Sequence, residues 1–195
     1  MKTLLLASTN YAKIQEMSAI VQTQFQNNYH IISLSDCPIP APDEPYETFL
    51  ENAGHKARYY AHASGHMVIA DDSGMSIDTL DGFPGVRTRE FMDECGGPIP
   101  AYSKLQALLA GIENPRAAFH SAIALFCPQT QRQLAHEEKH CGYLSFPPRG
   151  ERQFGFDPIF VPDGFKQTVA ELGLEIKNTI SPRARALTAL LHKLV

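Results

Sequence analysis

The sequence has no surplus of basic residues, no long apolar run, no paired-cysteine motif, no internal repeat and no low-complexity segment. Its 17 Lys and Arg stand against 21 Asp and Glu, a formal net charge of -4, and the pI is about 6.0. A general nucleic-acid binder usually carries a basic excess or stripe, so this balance argues against one. No stretch approaches the roughly 18 apolar residues that a membrane span needs. The opening MKTLLLASTN holds too short an apolar run for a signal peptide and reads as a first buried strand. Cys37, Cys95, Cys127 and Cys141 form no C-x-x-C pair. In a chain of this size they are expected to be free thiols in a reducing cytoplasm.

What is present is ordinary globular composition, with 44% hydrophobic and 19% charged residues over 195 positions. That suffices for one domain, with room for two lobes. Strands are expected at 3–7, 31–34 and 67–70, then at 117–126 and 141–146, with 157–161 extended. A helix should follow Ser8-Thr9-Asn10, striped by Ile14, Met17, Ile20 or Val21, and Phe25. Thr48 and Glu51 form a capping box for a second helix that should end near Ser64 at Gly65. Further helices are expected at 101–109 and 181–194. Strands and helices alternate early and a strand-rich part follows. The expectation is an α/β fold with a mixed sheet flanked by helices and a strand-rich second lobe, one domain over 1–195.

Several stretches have residue types suited to chemistry. Ser8-Thr9-Asn10 with Lys13 opens a helix, where unpaired N–H groups attract anions. A cation in that first turn opposes the helix dipole and calls for another reason, such as phosphate. Glu44, Glu51, Asp71 and Asp72 supply carboxylates, and Mg²⁺ is usually held by one or two of these together with substrate phosphates. Asp71 and Asp72 fall in ADDSG, expected at the end of the third strand. Arg149-Gly150 and Phe154-Gly155-Phe156-Asp157 could form a loop that stacks a ring on a base, or a turn with both rings in the core. Lys177 and Arg183 flank Ser181-Pro182, a good helix start. His136-Glu137-Glu138-Lys139-His140 matches H-E-x-x-H, which binds zinc only on a helix. Here it lies between strand-like runs and should put His136, Glu138 and His140 on one face of a strand.

Taken in order, STNYAK, ENAGHKA, ADDSG with IDTLDGFPGV, PRGERQFGFDPIF and AELGLEIKNTISPR resemble the inosine triphosphate pyrophosphatase family over nearly the whole chain. The resemblance implies a cleft between two lobes and Mg²⁺-dependent hydrolysis of ITP, dITP and XTP to monophosphate and pyrophosphate. It also implies a cytoplasmic homodimer that cleanses nucleotide pools. By position, Ser8, Thr9, Asn10 and Lys13 would bind phosphate, with Lys56 and Ser73 assisting. Glu44 and Asp72 would hold the metal, and Asp72 would also activate water. Asp71 would support the site. Phe154, Gly155, Phe156, Asp157 and Lys177 would contact the nucleotide, Phe156 by stacking, with Arg183 near the base edge. Pro182 stands where the family has His, and Arg87-Thr88-Arg89-Glu90 stands where it usually has Tyr-Ser-Ala-Arg. These departures bear on base preference. The alternatives are the same cleavage on another base and a nucleotide-binding regulator without turnover.

Overall fold

A computed structural model describes residues 2–25, 28–151 and 155–194. In chain order the elements are β1 (Lys2–Ala7), α1 (Tyr11–Phe25), β2 (Tyr29–Ser33), α2 (Phe49–Ser64), β3 (Met67–Ile77), β4 (Pro84–Gly85), α3 (Thr88–Glu94), α4 (Pro98–Leu108), β5 (Arg116–Cys127), β6 (Arg132–Leu144), β7 (Phe160–Pro162), α5 (Val169–Ile180) and α6 (Pro182–His192). The fold is α/β with a mixed sheet, and the chain divides into two compact units. Among the described residues no helix is long and apolar enough to cross a membrane.

The first unit takes residues 1–72, 121–138 and 182–195. β1 lies between β2 and β3 and runs parallel to both, with Leu5 opposite Ile32 on one side and Val68 on the other. Leu4, Leu5 and Leu6 are all fully buried, the near-continuous apolar run expected of a parallel strand covered on both faces. Leu4, Leu6 and Ile69 pack with Met17 and Val21 of α1 and with Leu187 and Leu190 of α6. α2 has the ends foreseen from the sequence. The Thr48 hydroxyl accepts from the Glu51 N–H, and Gly65 closes the helix at φ 72°.

The second unit takes residues 73–120 and 139–181. The end of β3 pairs antiparallel with β4, and the end of β6 pairs antiparallel with β7. Ile77, Phe91, Leu105, Phe156 and Phe160 belong to its core. Gly142 of β6 is required by close approach. A Cβ there would sit 2.2 Å from the Val161 carbonyl oxygen and 2.7 Å from the Phe160 ring.

Three sequence expectations need correction. β3 does not end at Ala70 but runs through ADDSG to Ile77. Residues 155–159 form a turn, and β7 begins only at Phe160. α3 and α5 were not foreseen. In α5 the pattern is broken at Gly173, whose φ of 79° kinks the helix. The H-E-x-x-H stretch lies within β6, as expected.

Candidate active site

The extension of β3 explains how two adjacent aspartates can be buried. Successive side chains on a strand point to opposite faces, so Asp71 and Asp72 are directed apart and meet separate cations. Each is 6% exposed.

Asp71 is the centre of one network. Its Oδ2 is 2.5 Å from Lys13 Nζ, and its Oδ1 accepts from Arg183 Nε at 3.0 Å and from the Ser121 hydroxyl at 2.8 Å. Arg183 also reaches Glu16 at 2.8 Å. Burial alone would raise the carboxyl pKa of Asp71. The charges of Arg183 and Lys13 and the hydrogen bonds from Lys13 and Ser121 reverse that and hold it well below the usual carboxylate range. Lys13 is pushed down by burial despite Asp71, with the Arg183 charge adding to the effect. Lys13 starts on α1, whose first turn is capped by Asn10. The Asn10 Oδ1 accepts from the N–H groups of Ala12 and Lys13, and the Asn10 N–H donates to the Ser8 hydroxyl. Thr9 is exposed.

Asp72 belongs to a second cluster. Lys56 of α2 donates to Asp72 Oδ1 at 2.7 Å and to Glu44 Oε2 at 3.2 Å. Glu44 comes from the loop ahead of α2, and that loop is tied down by Asn52, whose side chain exchanges two hydrogen bonds with the Tyr46 backbone. Burial opposes ionisation of Lys56, but the two carboxylates outweigh it and raise its pKa. The balance differs for the acids. Burial, with the Glu44 charge adding to it, pushes Asp72 up to about 6 against the pull of Lys56. Glu44 is held low by Lys56 in spite of its own burial. Two carboxylates thus share one ammonium, and Asp72 Oδ2 is buried without a hydrogen-bond partner. A buried unpaired carboxylate oxygen is costly. Hard oxygens around residual negative charge suit a divalent cation that draws its remaining ligands from phosphate and water. Among the described residues no group of three or more His, Cys, Asp or Glu is arranged for a metal.

The second unit holds the other expected residues. Ser73 follows Asp72 along β3 and is half-buried. Asp157 is paired with Lys177 of α5 at 2.5 Å. Phe156 is 1% exposed and lies within the core. That is the core placement, one of the two outcomes left open by the Phe-Gly-Phe spacing. Phe154 lies outside the described residues. His136 pairs with Glu138 at 3.0 Å along β6, and Arg185 approaches Glu138 at 3.5 Å. The H-E-x-x-H stretch therefore lies on a strand, with Glu138 between His136 and Arg185.

Sequence reading missed Glu16 and Ser121. Glu16 had a faint signal, three residues after Lys13 on one helix face. Ser121 had none.

An α/β sheet with a capped helix start, a carboxylate pair around one lysine and a lone buried carboxylate oxygen defines a protein suited to an anionic ligand and a divalent cation. The comparisons narrow that class. The Ham1 family model matches residues 4–193, and the chain belongs to that family. It is 37% identical to a dITP/XTP pyrophosphatase of Rhodospirillum centenum, across 98% of this chain and 94% of that one. It is 36% identical to a protein of the same name from Bacillus licheniformis, across 97% and 96%. A HAM1 protein structure from Coxiella burnetii superposes with a TM-score of 0.86 at 33% identity, covering 100% of this chain and 98% of that one.

Proposed function

We propose that this chain is a nucleoside triphosphate pyrophosphatase that hydrolyses ITP, dITP and XTP to the monophosphate and pyrophosphate, using Mg²⁺. Residues 1–195 act as one pyrophosphatase domain, in a cytoplasmic homodimer. The observation that carries the reading is the pair of carboxylates, Glu44 and Asp72, sharing the single ammonium of Lys56, which leaves one net negative charge at the cluster.

Glu44 and Asp72 would hold Mg²⁺, which when bound would offset triphosphate charge and supply Lewis-acid polarisation of the α-phosphoryl group. Asp72, with its Oδ1 held by Lys56, would act as the general base. It takes a proton from water as the water oxygen bonds to the α-phosphorus, and the bond from that phosphorus to the bridging oxygen breaks to release pyrophosphate. Lys56 keeps the Asp72 carboxylate oriented through Oδ1 and stabilises charge with Ser73 at the phosphates. Ser8, Thr9, Asn10 and Lys13 receive phosphate oxygens at the start of α1. Gly155, Asp157 and Lys177, together with Phe154, contact the nucleoside end, and Arg183 lies toward the base edge.

The test is a panel of ITP, dITP, XTP, ATP and GTP with Mg²⁺, run on wild type and Asp72→Asn. Wild type should favour the first three. The variant should lose roughly 100-fold or more in turnover, the scale of a lost general base. A fully active Asp72→Asn protein would remove the mechanism.

A further inference from the structure

The turn at Gly155 is held in an unusual way. Within it, the Phe156 carbonyl accepts from the N–H groups of Ile159 and Phe160, and the Asp157 carbonyl accepts from the Ala170 N–H. The Gly155 carbonyl is instead met by a side chain, the hydroxyl of Tyr102. Tyr102 is on α4, 2% exposed, with its ring tilted against Phe156 at 6.3 Å between centroids. Burial, followed by the negative charge of Asp157, pushes the phenol up to about 12. The hydroxyl therefore keeps its proton at physiological pH and remains a donor. Gly155 has a φ of 53°, and a Cβ there would meet nothing within 4 Å. The backbone conformation, not space, calls for glycine. A peptide in that region rotates easily unless something fixes its carbonyl.

We propose that Tyr102 is a positioning residue for recognition of the nucleoside end of the substrate, acting by fixing the Gly155 peptide and so the segment that leads to Asp157 and Lys177. The assignment rests on the reading above that Gly155, Asp157 and Lys177 contact the nucleotide. Three anchors converge on this turn. The Phe156 ring lies in the core, Lys177 holds the Asp157 side chain, and Tyr102 holds the Gly155 carbonyl. The first two explain why the turn exists. The third fixes one peptide in it, and a phenylalanine would keep the ring packing while releasing that carbonyl.

The experiment is Tyr102→Phe, which keeps the ring in the core and removes one donor. KM for dITP should rise about three- to tenfold, the range given by one hydrogen bond. kcat should stay within about twofold, because a contact equal in ground and transition states changes KM alone. Inorganic tripolyphosphate, used as a competitive inhibitor, should keep its Ki, since it has no nucleoside. The Tm should fall by no more than about 1–6 °C. An unchanged KM overturns the assignment. So does a parallel rise in KM and in the tripolyphosphate Ki, which marks a general loss of structure. If wild type fails to release pyrophosphate from dITP, the activity reading fails first and this inference falls with it. Normal wild-type turnover with an unaffected variant removes only the role of Tyr102.

Discussion

Replacing Asp71 by Asn tests whether the first network is structural. The wild-type side chain is 1% exposed and accepts on both oxygens, from Lys13 on Oδ2 and from Arg183 and Ser121 on Oδ1. An amide has one acceptor oxygen. If it faces Arg183 and Ser121, its NH₂ group faces the Lys13 ammonium. If it is turned round, it confronts two other donors. Either way a buried cation loses its counter-charge. Removing one partner of a buried ion pair costs about 3–5 kcal/mol. Glu16 still neutralises Arg183 at 2.8 Å, and the Lys13 side chain, 23% exposed, can relax toward water. The expected loss is therefore about 3 kcal/mol, at the low end of that range. For a chain of this size each kcal/mol shifts Tm by roughly 2–4 °C, so the melt should move down by about 6–12 °C. Far-UV circular dichroism at neutral pH reads this directly. The sign of the pH dependence is fixed as well. The folded pKa of Asp71 lies below its ordinary 3.8, so its contribution is present above that value and is lost as pH falls through the folded pKa. The difference between wild type and variant should hold at neutral pH and narrow in strong acid. A Tm within about 2 °C of wild type at neutral pH would refute the reasoning, because the two buried cations would then not need the carboxylate.

Mg²⁺ should raise the Tm of wild type more at about pH 8 than at about pH 5. The folded pKa of Asp72 is raised from 3.8 to about 6, so this group makes the metal-free fold less stable as pH rises through that window, and below it the proton competes with the cation. A shift independent of pH, or larger in acid, would count against Asp72 as a ligand. Gly142→Ala should destabilise by about 2 kcal/mol or more through overpacking, since its Cβ would sit 2.2 Å from the Val161 carbonyl oxygen. Chemical denaturation should show it as a lower midpoint with an unchanged slope, and a midpoint equal to that of wild type would show that β7 can move aside.

How much was legible beforehand follows from the range of the interactions. The ends of α2 are local chemistry: Thr48, Glu51 and Gly65 lie beside the turns they cap, and all three were read correctly. The capping box at the start of α5, Thr168 with Glu171, is equally local. Gly173 interrupts the apolar spacing that would otherwise mark the helix behind it. The course of β3 could not be read locally. Two adjacent aspartates ordinarily end a strand; here cations that donate to both let it continue, and those cations are distant in sequence. Lys56 is 16 positions away, Lys13 is 58 and Arg183 is 112. The same distance hid Ser121, 50 positions from Asp71. The burial of Phe156 was one of two open outcomes of the Phe-Gly-Phe spacing, and only packing with the second unit's core decided it.

The most direct test of the central claim is the identity of the products from dITP or XTP with Mg²⁺, read by phosphorus NMR. The account predicts the nucleoside monophosphate and pyrophosphate in equal amounts, with cleavage at the α-phosphorus. Release of orthophosphate with accumulation of the diphosphate would contradict it.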